Sequence, residues 1–116
     1  MTGQMTANEV VLNLMELSRE LNELSRGLDT LEVDAVNAAH DATNAYLQAF
    51  LKAEGPQYLR EVLAKQGSAE PQLAADLAKC MVTGRKRQLQ VLQTRIDVGR
   101  SAAAALRAEI TLGGVH

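Results

Sequence analysis

Few residues in this chain are of a type that does covalent or metal chemistry. The 116 residues include two histidines, His40 and His116, and one cysteine, Cys80. A zinc site needs three or four His, Cys or carboxylate ligands at short recurring spacings. A nucleophile needs a neighbouring base and a group to orient it. Neither pattern occurs, and no glycine-rich phosphate loop is present. The carboxylates are many, but they fall at helical spacings, where solvated faces use them. His40, beside Asp41, reads as a structural, partly exposed histidine. The sequence therefore predicts no catalytic residue, no metal ligand, no cofactor and no enzyme activity.

Arginine and lysine offer the remaining chemistry. The run Gly84-Arg85-Lys86-Arg87 could touch phosphate, and nucleic-acid binding would follow such a basic helix. Against it, aromatic residues make up only 3%, with no Trp, and the net charge is −2. Stacking on single strands needs aromatic faces. A solvated helix face is the simpler reading.

These side chains must be positioned by helices. The apolar content is Leu, Ala and Val, and the two prolines, Pro56 and Pro71, leave long stretches on either side free to be helical. Thr6-Ala7-Asn8-Glu9 is a capping box, with Met5 and Val10 placed for a hydrophobic staple. From there Val10, Leu14, Leu17, Leu21, Leu24, Leu28, Leu31, Ala35, Ala38, Ala42, Ala45 and Ala49 alternate by four and three, the mark of a coiled-coil seam. Glu54-Gly55-Pro56 stops this helix. A short amphipathic helix is expected over about 57–66, with Gly67 and Ser68 ending it. A last helix over about 69–112 carries the seam Ala75, Ala78, Val82, Arg85, Leu89, Leu92, Ile96, Gly99, Ala103, Leu106 and Ile110.

The fold class that follows is all-α: a long antiparallel two-helix coiled-coil hairpin, first helix about 6–54, with a short connecting helix, in one domain over 1–116. Folding back across 55–68 pairs seam residues whose numbers sum to 123 or 124, so that Leu24 meets Gly99 and Ala38 meets Arg85. In that register Arg85 lies between Asp34 and Asp41, one turn to either side, and would form a register-fixing ion pair.

Charge is divided between the arms. Residues 9–41 hold eight acids and two arginines; residues 79–107 hold seven basic residues and Asp97. Such asymmetry favours attraction between the arms or between chains. Lys79, Lys86, Arg100 and Arg107 share one flank of the last helix, and with Arg87 form a candidate interaction surface. Glu16, Glu20, Glu23, Asp34 and Asp41 line the opposite flank of the first helix, so these stripes can meet between two hairpins but not within one. Val91, Val98, Ala105 and Leu112, with Val11 and Met15, are apolar residues that one hairpin cannot bury. They read as an oligomer interface that would build a helical bundle. No secretory signal is visible and no apolar run reaches the roughly 18 residues of a membrane span. A lone cysteine fits a reducing compartment, so a cytoplasmic protein without a membrane partner is expected.

Three segments resemble a family of small coiled-coil proteins of bacteriophages and prophages. They are Ala49-Phe50-Leu51-Lys52-Ala53-Glu54-Gly55, then Leu73-Ala74-Ala75-Asp76-Leu77-Ala78, then Leu92-Gln93-Thr94-Arg95-Ile96-Asp97-Val98-Gly99-Arg100-Ser101. The resemblance covers roughly residues 40–112. It implies a phage protein in the cytoplasm of a bacterial host, and some members of that family lie near recombination genes. It brings no catalytic residues. The function expected is non-enzymatic protein–protein binding by a homo-oligomer, with a host or phage protein as partner, for example as an inhibitor of host defence. The alternatives are a nucleic-acid-binding accessory factor in recombination, and an oligomer that sequesters a small ligand.

Overall fold

The structure, a computed structural model, describes residues 6–114. It is an all-α helical hairpin of three helices: α1 (Ala7–Lys52), α2 (Gln57–Gly67) and α3 (Ala69–Gly114). The capping box forms as the sequence predicts. The Glu9 amide donates to Thr6 Oγ1 at 3.2 Å, and the Thr6 amide donates to Glu9 Oε2 at 3.0 Å. Val10, the inner half of the staple, is buried; Met5 lies outside the described residues.

The described chain forms two compact units. One takes in the residues up to Arg26 together with those from Arg87 onward; the other is Gly27–Lys86. We call them the terminal unit and the turn unit.

In the turn unit α1 ends at Lys52, and Gly55 reverses the chain with φ = 110°, a left-handed conformation that only glycine takes without a steric cost. Pro56 follows as the N-cap of α2 with extended backbone, and its carbonyl accepts from the amides of Leu59 and Arg60, both at 3.1 Å. Four residues separate α1 from α2, a connection short enough to make the two helices antiparallel neighbours. They do pack together. A Cβ added at Gly67 would lie 2.9 Å from Ala49 Cβ, and Ala64 is wholly buried. The helix α2 is thus not a connector. It is the first stretch of the returning arm.

The break expected at Gly67-Ser68 is a joint within that arm. The Ser68 amide bonds to the Ala64 carbonyl at 3.0 Å, and the Gln72 amide bonds to the Ser68 carbonyl at 2.9 Å. One bond closes α2 and the other opens α3, with no i to i−4 bond among the described residues passing over Ser68, so the break expected at Gly67-Ser68 is present. Ser68 Oγ adds a second bond to the Ala64 carbonyl at 2.8 Å, a back-bond that bends helices. Pro71, three residues on, has no N–H to contribute.

Moving the reversal from 55–68 to 53–56 moves the register. The seam residues themselves are those the sequence indicates: buried or half-buried positions recur along α1 at Val10, Leu14, Leu17, Leu21, Leu24, Leu28 and Leu31, and along α3 at Ala75, Ala78, Val82, Arg85, Leu89, Leu92 and Ile96. Their pairing differs. In the terminal unit the space at Gly99 is filled by Leu14, whose Cδ2 would lie 2.6 Å from an added Cβ. The pairing of Gly99 with Leu24 is therefore incorrect. In the turn unit Arg85 Nη1 would lie 2.5 Å from a Cβ at Gly27. Leu14 with Gly99 sums to 113 and Gly27 with Arg85 to 112, so the arms are slipped from the expected register by about eleven residues, three helical turns. Arg85 is placed two turns before Asp34 and four before Asp41, which removes the geometry on which an ion pair with those carboxylates was expected.

The core is thin. In the terminal unit Leu17, Leu92 and Ile96 are buried, with Leu14, Leu21 and Leu24 packed on them. In the turn unit the buried apolar residues are Ala42, Ala64 and Ala75, small side chains that let helix backbones approach closely.

Two glycines test whether α2 returns along α1. Gly67→Ala places a methyl against the rigid Cβ of Ala49 and is expected to destabilise the protein by about 1–3 kcal/mol through overpacking. Gly84 has open space around its Cβ position, so Gly84→Ala should stabilise by up to about 1 kcal/mol through helix propensity. Thermal melts of the two variants should shift in opposite directions. A stabilised Gly67→Ala protein would mean that α2 does not pack on Ala49.

Candidate interaction surfaces

The terminal unit has two unlike sides. On one, Glu20 of α1 borders a groove with Arg87, Gln88, Val91 and Arg95 of α3, floored by Leu24 and Leu92. Asn13 continues the same side beside Arg95, Val98 and Ala102. Glu16 and Glu23, four residues before and three after Glu20, share its face of the helix. This side therefore sets an acidic row on α1 beside the apolar pair Val91 and Val98 on α3, which are 51% and 64% exposed.

On the other side Val11 of α1 and Arg107 of α3 border a groove over Val10, Leu106 and Ile110. Met15, one turn from Val11, extends the apolar strip; the two line a shallow hollow with Ser18, Arg19 and Asn22. Arg100, two turns from Arg107, extends the basic row. This side sets an apolar row on α1 beside a basic row on α3.

The field of the acidic row is visible at Arg19. Its guanidinium pairs with Glu16. Its pKa is raised by that hydrogen bond first, then by the charge of Glu16, with Glu23 and Glu20 adding to it.

The expected interaction residues fall as follows. Lys79 and Lys86 are exposed in the turn unit; Arg87, Arg100 and Arg107 are exposed in the terminal unit. Val11, Met15, Val91, Val98, Ala105 and Leu112 are all exposed in the terminal unit. Arg85 is half-buried and turned toward Gly27, which takes it out of the surface run Arg85-Lys86-Arg87. His40 and Cys80 are exposed, and Cys80 is a free thiol. His116 lies outside the described residues. Among the described residues no group of three or more His, Cys, Asp or Glu side chains could hold a metal ion. Among the described residues no helix is long and apolar enough to cross a membrane.

The turn unit holds a feature that the sequence reading missed. Arg60, in the first turns of α2, donates from Nη2 to the Phe50 carbonyl at 3.1 Å. Its guanidinium carbon lies 4.3 Å from the centre of the Phe50 ring, and Tyr46 stacks on Phe50 at 6.4 Å between centroids. One arginine thus meets a carbonyl in the last turn of α1, where the helix dipole is negative, and an aromatic face. The signal was present as an arginine ten residues after the only phenylalanine, across a Gly-Pro turn. It becomes readable only once α2 is known to fold straight back.

Around this brace large apolar side chains face solvent. Leu47 and Leu51 at the end of α1, and Tyr58, Leu59, Val62 and Leu63 at the start of α2, are all exposed, Leu51 and Tyr58 by 75% and 71%.

Compared with known proteins, the chain matches no family model, no curated protein and no solved structure.

Arg60→Met keeps the length of the side chain and removes both polar contacts. It is expected to lower stability by about 1–2 kcal/mol, read as a lower urea midpoint. Arg60→Lys should recover little of this, because an ammonium lacks the planar face that stacks on the ring. A midpoint unchanged in Arg60→Met would show that the brace contributes nothing to the turn.

Proposed function

We propose that the protein is a non-enzymatic helical interaction module that binds a partner protein through the apolar surface around its turn. The observation that carries this reading is the exposure of Leu47, Leu51, Tyr58, Leu59, Val62 and Leu63 around a turn made by Gly55 and Pro56 and braced by Arg60 on Phe50. Contiguous exposed apolar surface on a rigid frame is what protein interfaces use. The resemblance over residues 40–112 directs the search for the partner to phage and host proteins, host-defence components among them.

The geometry favours a protein over a nucleic acid. The basic run loses Arg85 to the seam, and of the aromatic residues Tyr46 and Phe50 are stacked on each other and half-buried. Tyr58 alone of the three is well exposed, which is a poor platform for successive bases.

The test is affinity capture from lysate of the host, with the wild type and with a Leu51→Ser/Tyr58→Ser variant, before and after nuclease treatment. Both substituted residues are exposed, so helicity by circular dichroism should be unchanged. The expected result is a discrete protein retained by the wild type, resistant to nuclease and lost with the variant. Retention that nuclease abolishes, or that the variant leaves intact, would contradict the proposal.

A further inference from the structure

We propose that the terminal unit binds a second copy of this chain head to tail, the acidic side of one copy against the basic side of the next. The contact uses the terminal unit alone and is independent of the turn surface, so either proposal can fail without the other.

The two sides of the terminal unit differ in what each helix presents. One presents carboxylates on α1 and, on α3, Val91 and Val98 with Arg87 and Arg95 among them; the other presents an apolar row on α1 and guanidinium groups on α3. Two copies laid like side to like side would put charge against apolar surface with α1 along α3, and like charge against like charge with α1 along α1. Laid unlike side to unlike side, with one copy turned end for end, α1 of the first lies along α3 of the second. Acid then faces base, and Val11 and Met15 face the stretch of α3 that carries Val91, Arg95 and Val98.

The spacing supports this arrangement. Glu16 and Glu23 are seven residues apart, and so are Arg100 and Arg107, two helical turns in each case. Setting Glu16 opposite Arg100 of the second copy brings Glu23 opposite Arg107. The register of the terminal unit, Leu14 level with Gly99, then fixes the rest. At that same setting Met15 of the second copy is level with Val98 of the first, and Val11 falls between Val91 and Val98, level with Arg95. Asp97 of the second copy, the acid within its basic side, falls beside Asn13 rather than beside a carboxylate. One offset thus sets the acidic pair against the basic pair and brings Val11 and Met15 level with the Val91–Val98 stretch, Arg95 included. The apolar rows supply the burial, and the charges select orientation and partner side. Each copy keeps one unlike side free after the first contact, so assembly goes past a dimer, as heterologous contacts do.

The experiment is light scattering with size exclusion on the wild type and two charge-reversal variants, Glu16→Lys/Glu23→Lys and Arg100→Glu/Arg107→Glu. The substituted residues are exposed, and circular dichroism checks that the helices persist. The wild type at micromolar concentration is expected to show a mass above twice that of one chain, falling toward a single chain in 1 M salt, where the Debye length is about 3 Å. Each variant alone should be monomeric, since one of its two sides now repels. An equimolar mixture should regain the wild-type mass, because both contacts are again between opposite charges. A monomeric wild type, a helical variant that assembles like the wild type, or a mixture of helical variants that stays monomeric would overturn the proposal.

Discussion

Everything in this chain depends on how closely its returning arm can follow α1 from the turn onward. Four residues reverse the chain, and they can do so because Gly55 adopts φ = 110° while Pro56 starts the next helix. Ala49 then lies beside Gly67 and Gly27 beside Arg85 in the turn unit, as Leu14 lies beside Gly99 in the terminal unit. The arginine–aromatic brace secures the same turn, because Arg60 reaches the Phe50 carbonyl only if α2 doubles straight back.

The seam was legible in the sequence and its pairing was not. Three–four spacing from Val10 to Ala49 names the inward positions of α1, and the same spacing names those of α3. A slip of three turns, about eleven residues, carries such a seam onto itself. Leu24 opposite Gly99 and Leu14 opposite Gly99 therefore look equally good on paper. What separates them is the place where the chain turns. Gly67, Ser68 and Pro71 do break the helix, but α2 already packs beside Ala49 before that break, so the reversal lies at 53–56 and not across 55–68. The error at Arg85 followed from the slip. The surface rows depend on the face of each helix and not on which residues stand level, so the slip does not bear on them.

A two-helix hairpin buries one stripe per helix, and here that stripe is modest. Burying a whole Leu or Ile contributes about 1.5–3 kcal/mol, and a single methylene roughly 0.8. Leu17, Leu92 and Ile96 thus give the terminal unit its anchor, while the alanine core of the turn unit contributes much less per residue. The alanines bring the backbones close, which leaves the larger side chains of the turn unit, Leu51, Tyr58, Leu73, Leu77 and Met81 among them, facing outward. The surfaces assigned to partner binding and to self-association are the direct consequence of how little one hairpin can cover.

The register is the claim on which this account rests, and chemical cross-linking within a single chain tests it most directly. In a Cys80→Ser background, Leu14→Cys is combined with Gly99→Cys, and separately Leu24→Cys with Gly99→Cys. A short bismaleimide is added at low protein concentration, and linked peptides are identified by mass spectrometry. Positions 14 and 24 are ten residues apart, about 15 Å along the helix. The account predicts that the 14–99 pair links efficiently within one chain and the 24–99 pair does not. Efficient linking of 24 to 99, with 14 to 99 unlinked, would contradict it.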